Sequence, residues 1–242
     1  MAELFDTFEN AVRKAKLVAL CTIIGGPHVG AKLLLWPDGA VEGDLGSATL
    51  NREVAQRAQE LMREQRSERF SLSAEGQEYD LFVDVQAPPP KLIVVGAVHI
   101  AIHLVAFAKQ LGFHTMVVDA RSAFATDDRF PHVDELITQW PADALSELGI
   151  DESTCVVVLT HDEKLDNPAL AVAVKSPAQY IGALGSKKTH ARRVEALKAE
   201  GVTDEQISRI HAPIGIDLGG RKPEEIAVSI IAEIVAVRNG QG

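Results

Sequence analysis

Lys91-Leu92-Ile93-Val94-Val95-Gly96-Ala97-Val98-His99-Ile100-Ala101 is the stretch on which the architecture of this chain turns. An unbroken run of apolar, largely β-branched residues describes a strand buried on both faces, as in a parallel sheet. Gly96 supplies a tight turn. Ile100, Leu104, Phe107 and Leu111 then recur at helical spacing. Strand, glycine turn and helix are the setting a dinucleotide fingerprint requires. Against the G-x-G-x-x-G/A pattern Gly96 fills the first position and Ala101 the third, while Val98 stands where the second glycine lets backbone approach pyrophosphate. Asp119 ends the next strand roughly 20 residues on, where an acid accepts from ribose hydroxyls. His99 reads equally as a polar first-turn residue or as a group facing the ligand crevice.

Downstream the alternation continues. Strands are expected at 92–95, 115–118, 135–137, 156–159 and 180–183, and helices at 100–111, 142–148, 168–175, 189–200 and 223–238. Right-handed crossovers then predict a parallel sheet ordered 3-2-1-4-5, with the loops at Gly96, Asp119, Thr160, Gly185 and Gly215 on its carboxyl edge. Three of these loops carry chemistry. Thr160-His161-Asp162 offers a hydroxyl, an imidazole and a carboxylate; His161 and Asp162 are candidates for function, whereas Asp166 before Asn167-Pro168 reads as a helix cap. Gly182-Ala183-Leu184-Gly185-Ser186-Lys187-Lys188 leads a strand into a helix, where free amides, the helix dipole and two ammonium groups suit a phosphate. The third, with Gly215 and Asp217, is a glycine-rich polar loop closed by Pro223-Glu224-Glu225 at a helix start.

Upstream, Pro88-Pro89-Pro90 cannot continue a helix or donate to a sheet. It separates a small α+β domain over 1–87 from a Rossmann-like, doubly wound α/β domain over 91–242. In the first domain the periodicity predicts helices over 3–16 and 50–65. Strands are expected at 17–24, 31–36 and 40–42, followed by a hairpin of 69–73 with 78–85. The net charge of −10 opposes binding to nucleic acid or to an anionic membrane. No apolar run has membrane-spanning length and the first residues lack signal-peptide blocks, so a cytoplasmic location is expected. Cys21 and Cys155 lie inside apolar runs and read as buried core thiols; the pattern contains no metal framework.

Together these motifs resemble the xanthine dehydrogenase accessory factor family (XdhC/CoxI). The matching pieces are Val95-Gly96-Ala97 with His99, Thr160-His161-Asp162 with Asp166, Tyr180-Ile181-Gly182-Ala183-Leu184-Gly185-Ser186, Ala212-Pro213-Ile214-Gly215-Ile216-Asp217-Leu218-Gly219, and Pro223-Glu224-Glu225-Ile226-Ala227 with Ser229 and Glu233. More weakly, Gly30-Ala31-Lys32 and Gly43-Asp44-Leu45-Gly46 resemble the family's first domain. The resemblance implies an assembly chaperone rather than an enzyme. Such a protein binds molybdenum cofactor (molybdopterin) and serves a molybdenum hydroxylase client of the xanthine or carbon monoxide dehydrogenase kind. Where the family commonly has Gly-Gly-Cys, this chain reads Gly46-Ser47-Ala48-Thr49, and where it commonly has Cys-Gly-Gly before the linker, this chain reads Glu75-Gly76-Gln77-Glu78-Tyr79. Fold analogy alone supports a different class, an NAD(P)-dependent oxidoreductase with His161 as general acid/base. The missing cysteines support another, a non-catalytic regulatory paralogue. A homodimer is compatible with the sequence.

Overall fold

The computed structural model describes residues 2–241 and divides between Pro89 and Pro90 into two compact units. In the first, α1 (Ala2–Arg13) is followed by β1 (Val18–Gly25), β2 (Lys32–Leu35), β3 (Val41–Asp44), α2 (Ala48–Arg63), β4 (Glu68–Ala74) and β5 (Gln77–Gln86). The sheet is antiparallel in the order β3-β2-β1-β5-β4. Successive strand residues face opposite sides. Ala19, Cys21 and Ile23 therefore pack against Leu50, Val54, Ala58 and Leu61 of α2, while Val18 and Leu20 meet Phe8 and Ala11 of α1. Ser47 caps α2 by accepting from Leu50 N, which is the local use of the stretch that carries no cysteine.

The second unit runs β6 (Lys91–Val95), α3 (His99–Gln110), β7 (His114–Val118), β8 (Glu135–Ile137), α4 (Pro141–Glu147), β9 (Thr154–Val158), α5 (Glu163–Ala173), β10 (Tyr180–Ala183), α6 (Lys187–Ala199), α7 (Asp204–Ser208), β11 (Ile210–His211) and α8 (Pro223–Arg238). All its strands are parallel, in the order β8-β7-β6-β9-β10-β11. The first five have the expected order; β11 and α7 are additions that the hydrophobic pattern did not announce. Leu92, Val94, Cys155 and Val157 face α3 and α8, and Ile93, Val95, Val156 and Val158 face α4, α5 and α6. Burying one such side chain fully is worth about 1.5–3 kcal/mol, and a charge in its place would lose hydration with nothing to answer it. The order reverses between β6 and β9. Their loops depart toward opposite layers there, opening the crevice where such sheets bind ligands.

Besides the added α7, the second helical layer differs from the expectation at α5. The helix expected from Pro168 starts at Glu163, and Pro168 lies inside it. Asp162 has the cap position, so proline costs one helical hydrogen bond but does not set the boundary. No helix among the described residues is long and apolar enough to cross a membrane.

Both cysteines are fully buried, and burial pushes each thiol up to about 12. Because the thiolate is the reactive form, an aromatic disulfide reagent at pH 8 should titrate neither Cys21 nor Cys155 in the folded protein, and both in strong denaturant. Rapid modification of either thiol before unfolding would show that it is not core.

Candidate functional site

The crevice starts at the turn after β6. Gly96 has φ +109°, a left-handed conformation, and a Cβ there would lie 2.8 Å from Thr160 Cγ2 and 3.2 Å from Thr160 N. Only glycine lets this turn press against the loop leaving β9. Gly96 N donates to Val118 O at 2.8 Å and Ala97 N to Asp119 Oδ2 at 2.8 Å. Asp119 is fully buried and also accepts from Arg121 N and Nε at 2.9 Å, and from Arg121 Nη2 at 2.8 Å. Desolvation acts to raise its pKa, but the Arg121 and Ala97 bonds outweigh it and the net direction is down. The acid at the strand end thus ties the β6 turn to β7. Val98 is the N-cap of α3 and packs half-buried against the core, while His99 is exposed in the first turn.

Thr160 joins two layers of bonding at the end of β9. Its hydroxyl donates to Asp166 Oδ1 at 2.5 Å and accepts from Asp162 N at 3.1 Å. Asp162 caps α5 by accepting from Lys164 N at 3.0 Å. Asp166, read from sequence as the cap, is instead buried. Its Oδ2 accepts from Arg193 Nη2 at 3.2 Å, and the same nitrogen reaches Leu184 O at 3.2 Å. The pair is nearly inaccessible, with side-chain exposures of 2% and 4%. Burial raises the Asp166 carboxyl, opposed by the Thr160 hydroxyl and Arg193. His161, between these anchors, adopts φ +63° and is exposed. That conformation is uncommon for a residue with a Cβ, though histidine is enriched in it.

From β10, whose Gly182 lies beneath Ile214, the chain passes through Gly185 to Ser186. Ser186 caps α6 by accepting from Thr189 N at 3.1 Å, leaving Lys187 and Lys188 exposed on the first turn. The loop after β11 is anchored separately. Gly215, at φ +87°, donates its N–H to Glu233 Oε2 at 2.8 Å, and a Cβ there would meet Ser229 Oγ at 2.3 Å. Glu233 also accepts from the Tyr180 hydroxyl and pairs with His211 Nδ1 at 3.4 Å; the Tyr180 and His211 rings lie 4.7 Å apart. Asp217 accepts from Gly219 N at 3.0 Å within its own loop. Among the described residues no hydrogen bond joins Gly215 or Asp217 to the Thr160 cluster.

The parallel sheet therefore brings Gly96, Asp119, Thr160 and Gly185 to one edge, and the structure adds groups to which the sequence reading assigned no role: Arg121, Arg193, Tyr180, His211 and Glu233. Arg121, two residues beyond a strand-end acid, carried a local signal. Arg193 carried none, since its partner lies 27 positions away. Fixed backbone amides, exposed lysines and Arg121 can hold an anion. Among the described residues no group of three His, Cys, Asp or Glu is placed to hold a metal.

Residues 92–234 match the family described as the XdhC Rossmann domain, and residues 11–73 that described as the XdhC and CoxI family. The chain is 33% identical over 159 residues to a probable xanthine dehydrogenase subunit of Bacillus subtilis (strain 168), covering 66% of this chain and 46% of that protein. It is 37% identical over 99 residues to the molybdenum cofactor insertion chaperone PaoD of Escherichia coli (strain K12), covering 41% and 30% respectively. The chain spans less than half the length of the curated relatives it matches. A crystal structure described as a xanthine dehydrogenase from Bacillus halodurans shares the fold, with a TM-score of 0.60 at 20% identity over 99% of this chain and 96% of that one.

Removing Asp166 strands a buried guanidinium, so Asp166→Ala should destabilise the fold by about 3–5 kcal/mol, measured by urea unfolding. A change under about 1 kcal/mol would mean that the pair is solvated. For Asp119 the sign follows from its depressed pKa. Its stabilisation is present above the ordinary aspartate value near 4 and is lost as pH falls through the lower folded value. Wild type should exceed Asp119→Asn in stability by about 1–3 kcal/mol at pH 7, and the gap should close on acidification. A gap that widens at low pH would refute this account.

Proposed function

The chain belongs to the XdhC and CoxI family, and from that premise we propose that it is an accessory protein that binds molybdenum cofactor, or a related phosphate-bearing nucleotide, and assists a molybdenum hydroxylase. The observation that carries this reading is the convergence of anion-holding groups at the carboxyl edge. The open amides at the start of α6, with Lys187 and Lys188, suit a phosphate. Gly96, Thr160, His161 and Asp162 line the neighbouring side of the crevice. Gly182 and Gly185 shape the floor of the same edge, and His99, Gly215 and Asp217 would contribute from its rim. Asp119 would act through the turn that it holds.

The residues fit the phosphate end of such a ligand. They do not provide a thiolate for a metal end, because Cys21 and Cys155 are both buried with raised pKa values. When bound, molybdenum cofactor supplies the metal chemistry of the client; the role of this chain's residues is to hold and orient it. The named relative that inserts molybdenum cofactor supports this class of function over hydride transfer. Val98 supports it too, since a side chain at that position crowds a pyrophosphate at the first turn.

Changing Lys187 and Lys188 together to alanine should weaken retention of molybdopterin by about 1 kcal/mol or more, the scale of charge-assisted contacts. Co-expression with a cofactor source and fluorescence of the oxidised pterin released from purified protein would measure it, alongside activation of a molybdenum hydroxylase. Equal pterin content in variant and wild type would remove the α6 turn from the site. Turnover of a small alcohol or aldehyde with NAD or NADP by the wild type would replace the proposal with an oxidoreductase.

A further inference from the structure

The first unit holds an open cleft of its own, away from the carboxyl edge of the second. It lies on the sheet face that carries α1 and has a volume of about 490 Å³. Leu4, Val29, Ala31, Lys32, Asp44 and His28 line it. Gly43, at φ +96°, draws β3 in close, since a Cβ there would lie 2.5 Å from Lys32 O and 3.1 Å from Leu4 Cδ2. Gly46 admits the His28 ring, whose Cδ2 would lie 2.9 Å from a Cβ. These two glycines let the wall close up without filling the cleft.

The charges in the cleft are held apart. Thr22, Lys32 and Asp44 are cross-strand partners in one row over β1, β2 and β3. Opposite charges directly across an antiparallel pair have Cβ atoms about 5 Å apart and attract one another. Lys32 and Asp44 nevertheless do not join. Lys32 Nζ donates to Thr22 Oγ1 at 2.9 Å, and among the described residues no carboxylate lies within ion-pair distance of it. Asp44 turns Oδ1 to Gly46 N and Asn51 Nδ2, each at 2.9 Å, and among the described residues no hydrogen bond reaches its Oδ2. The Asn51 and Gly46 bonds hold its carboxyl below the usual carboxylate range, so it is charged at neutral pH. A cation and an anion, each fixed by neutral partners and each with free hydrogen-bonding capacity, thus face one cleft without meeting. A lone anion would gain Lys32 and be repelled by Asp44, and a lone cation would meet the reverse. A molecule bearing both charges satisfies both groups. Leu4, Val29 and Ala31 leave the remaining wall apolar.

We propose that this cleft binds a free α-amino acid with an apolar side chain, its carboxylate on Lys32 and its ammonium group on Asp44. The separated pair selects the zwitterion, and Leu4, Val29 and Ala31 receive the side chain. The site belongs to the first unit alone and is independent of the cofactor reading of the second.

Titration calorimetry of the full chain with L-leucine, L-methionine and L-phenylalanine tests it. The tightest of these is then compared with its amine and its acid, the analogues that lack the carboxylate or the ammonium group. The amino acid should bind roughly tenfold tighter than either analogue, the discrimination of one charge-assisted contact. Lys32→Met should abolish its advantage over the amine and keep that over the acid, and Asp44→Asn should do the opposite. Thermal melting verifies that the variants fold; if either does not, the wild-type ranking decides alone. An acid or an amine that binds as tightly as the amino acid overturns the inference, because one charge then suffices. Binding of none of the three amino acids also overturns it and leaves Lys32 and Asp44 as a pair bridged by water. Pterin retention by the Lys187 and Lys188 variant is unaffected by any of these outcomes and judges the proposed function separately.

Discussion

Asp166 and Arg193 meet at 3.2 Å with almost no exposure to water, and the ligand edge of the second unit depends on that meeting. Two buried charges cost several kcal/mol each in lost hydration, and only close pairing with further hydrogen bonds offsets the loss. The further bonds are what matter for function. Asp166 takes the Thr160 hydroxyl and Arg193 takes the Leu184 carbonyl. One ion pair therefore secures the loop after β9 and the loop after β10 in a single arrangement. Those loops frame the crevice, so its geometry is imposed from below by a contact between α5 and α6.

A second carboxylate works similarly on the other side. Asp119 joins the Gly96 turn to the end of β7 and orients Arg121, whose guanidinium rests on Phe124. In a chain with a net charge of −10, cationic groups gathered at one sheet edge act locally. They cannot make the protein a general binder of polyanions, but they can hold a single phosphate. A parallel sheet collects its loops at the carboxyl ends of its strands, and that geometry turns separate sequence motifs into one surface.

How much of this could be read without coordinates differs by feature. The strands at Leu92, Thr115 and Tyr180 and the order of the sheet were legible, because continuous apolar runs separated by helical periodicity leave few topologies. Buried cysteines were legible from their neighbours. The start of α5 was not. Asn167-Pro168 is as good a local signal for a helix start as Asp162-Glu163, and the choice between them came from burial of Asp166 against a residue on another helix. β11, with its two residues, was too short to leave a periodic pattern. The Tyr180, His211 and Glu233 cluster draws on two strands and a helix, so no window of sequence contains it.

Sequence alone determined the class of the fold, the parallel sheet, the division near the proline triplet and the set of polar loops at the sheet's edge. These depend on the hydrophobic period and on turn residues, which act over a few positions. Tertiary structure alone decided what each polar residue does. It made Asp166 a buried partner instead of a cap and Asp162 the cap. It also committed Asp119 to the protein's own groups and presented Arg121 instead. A side chain's role depends on what desolvates it and what answers its charge, and both come from residues distant in the chain.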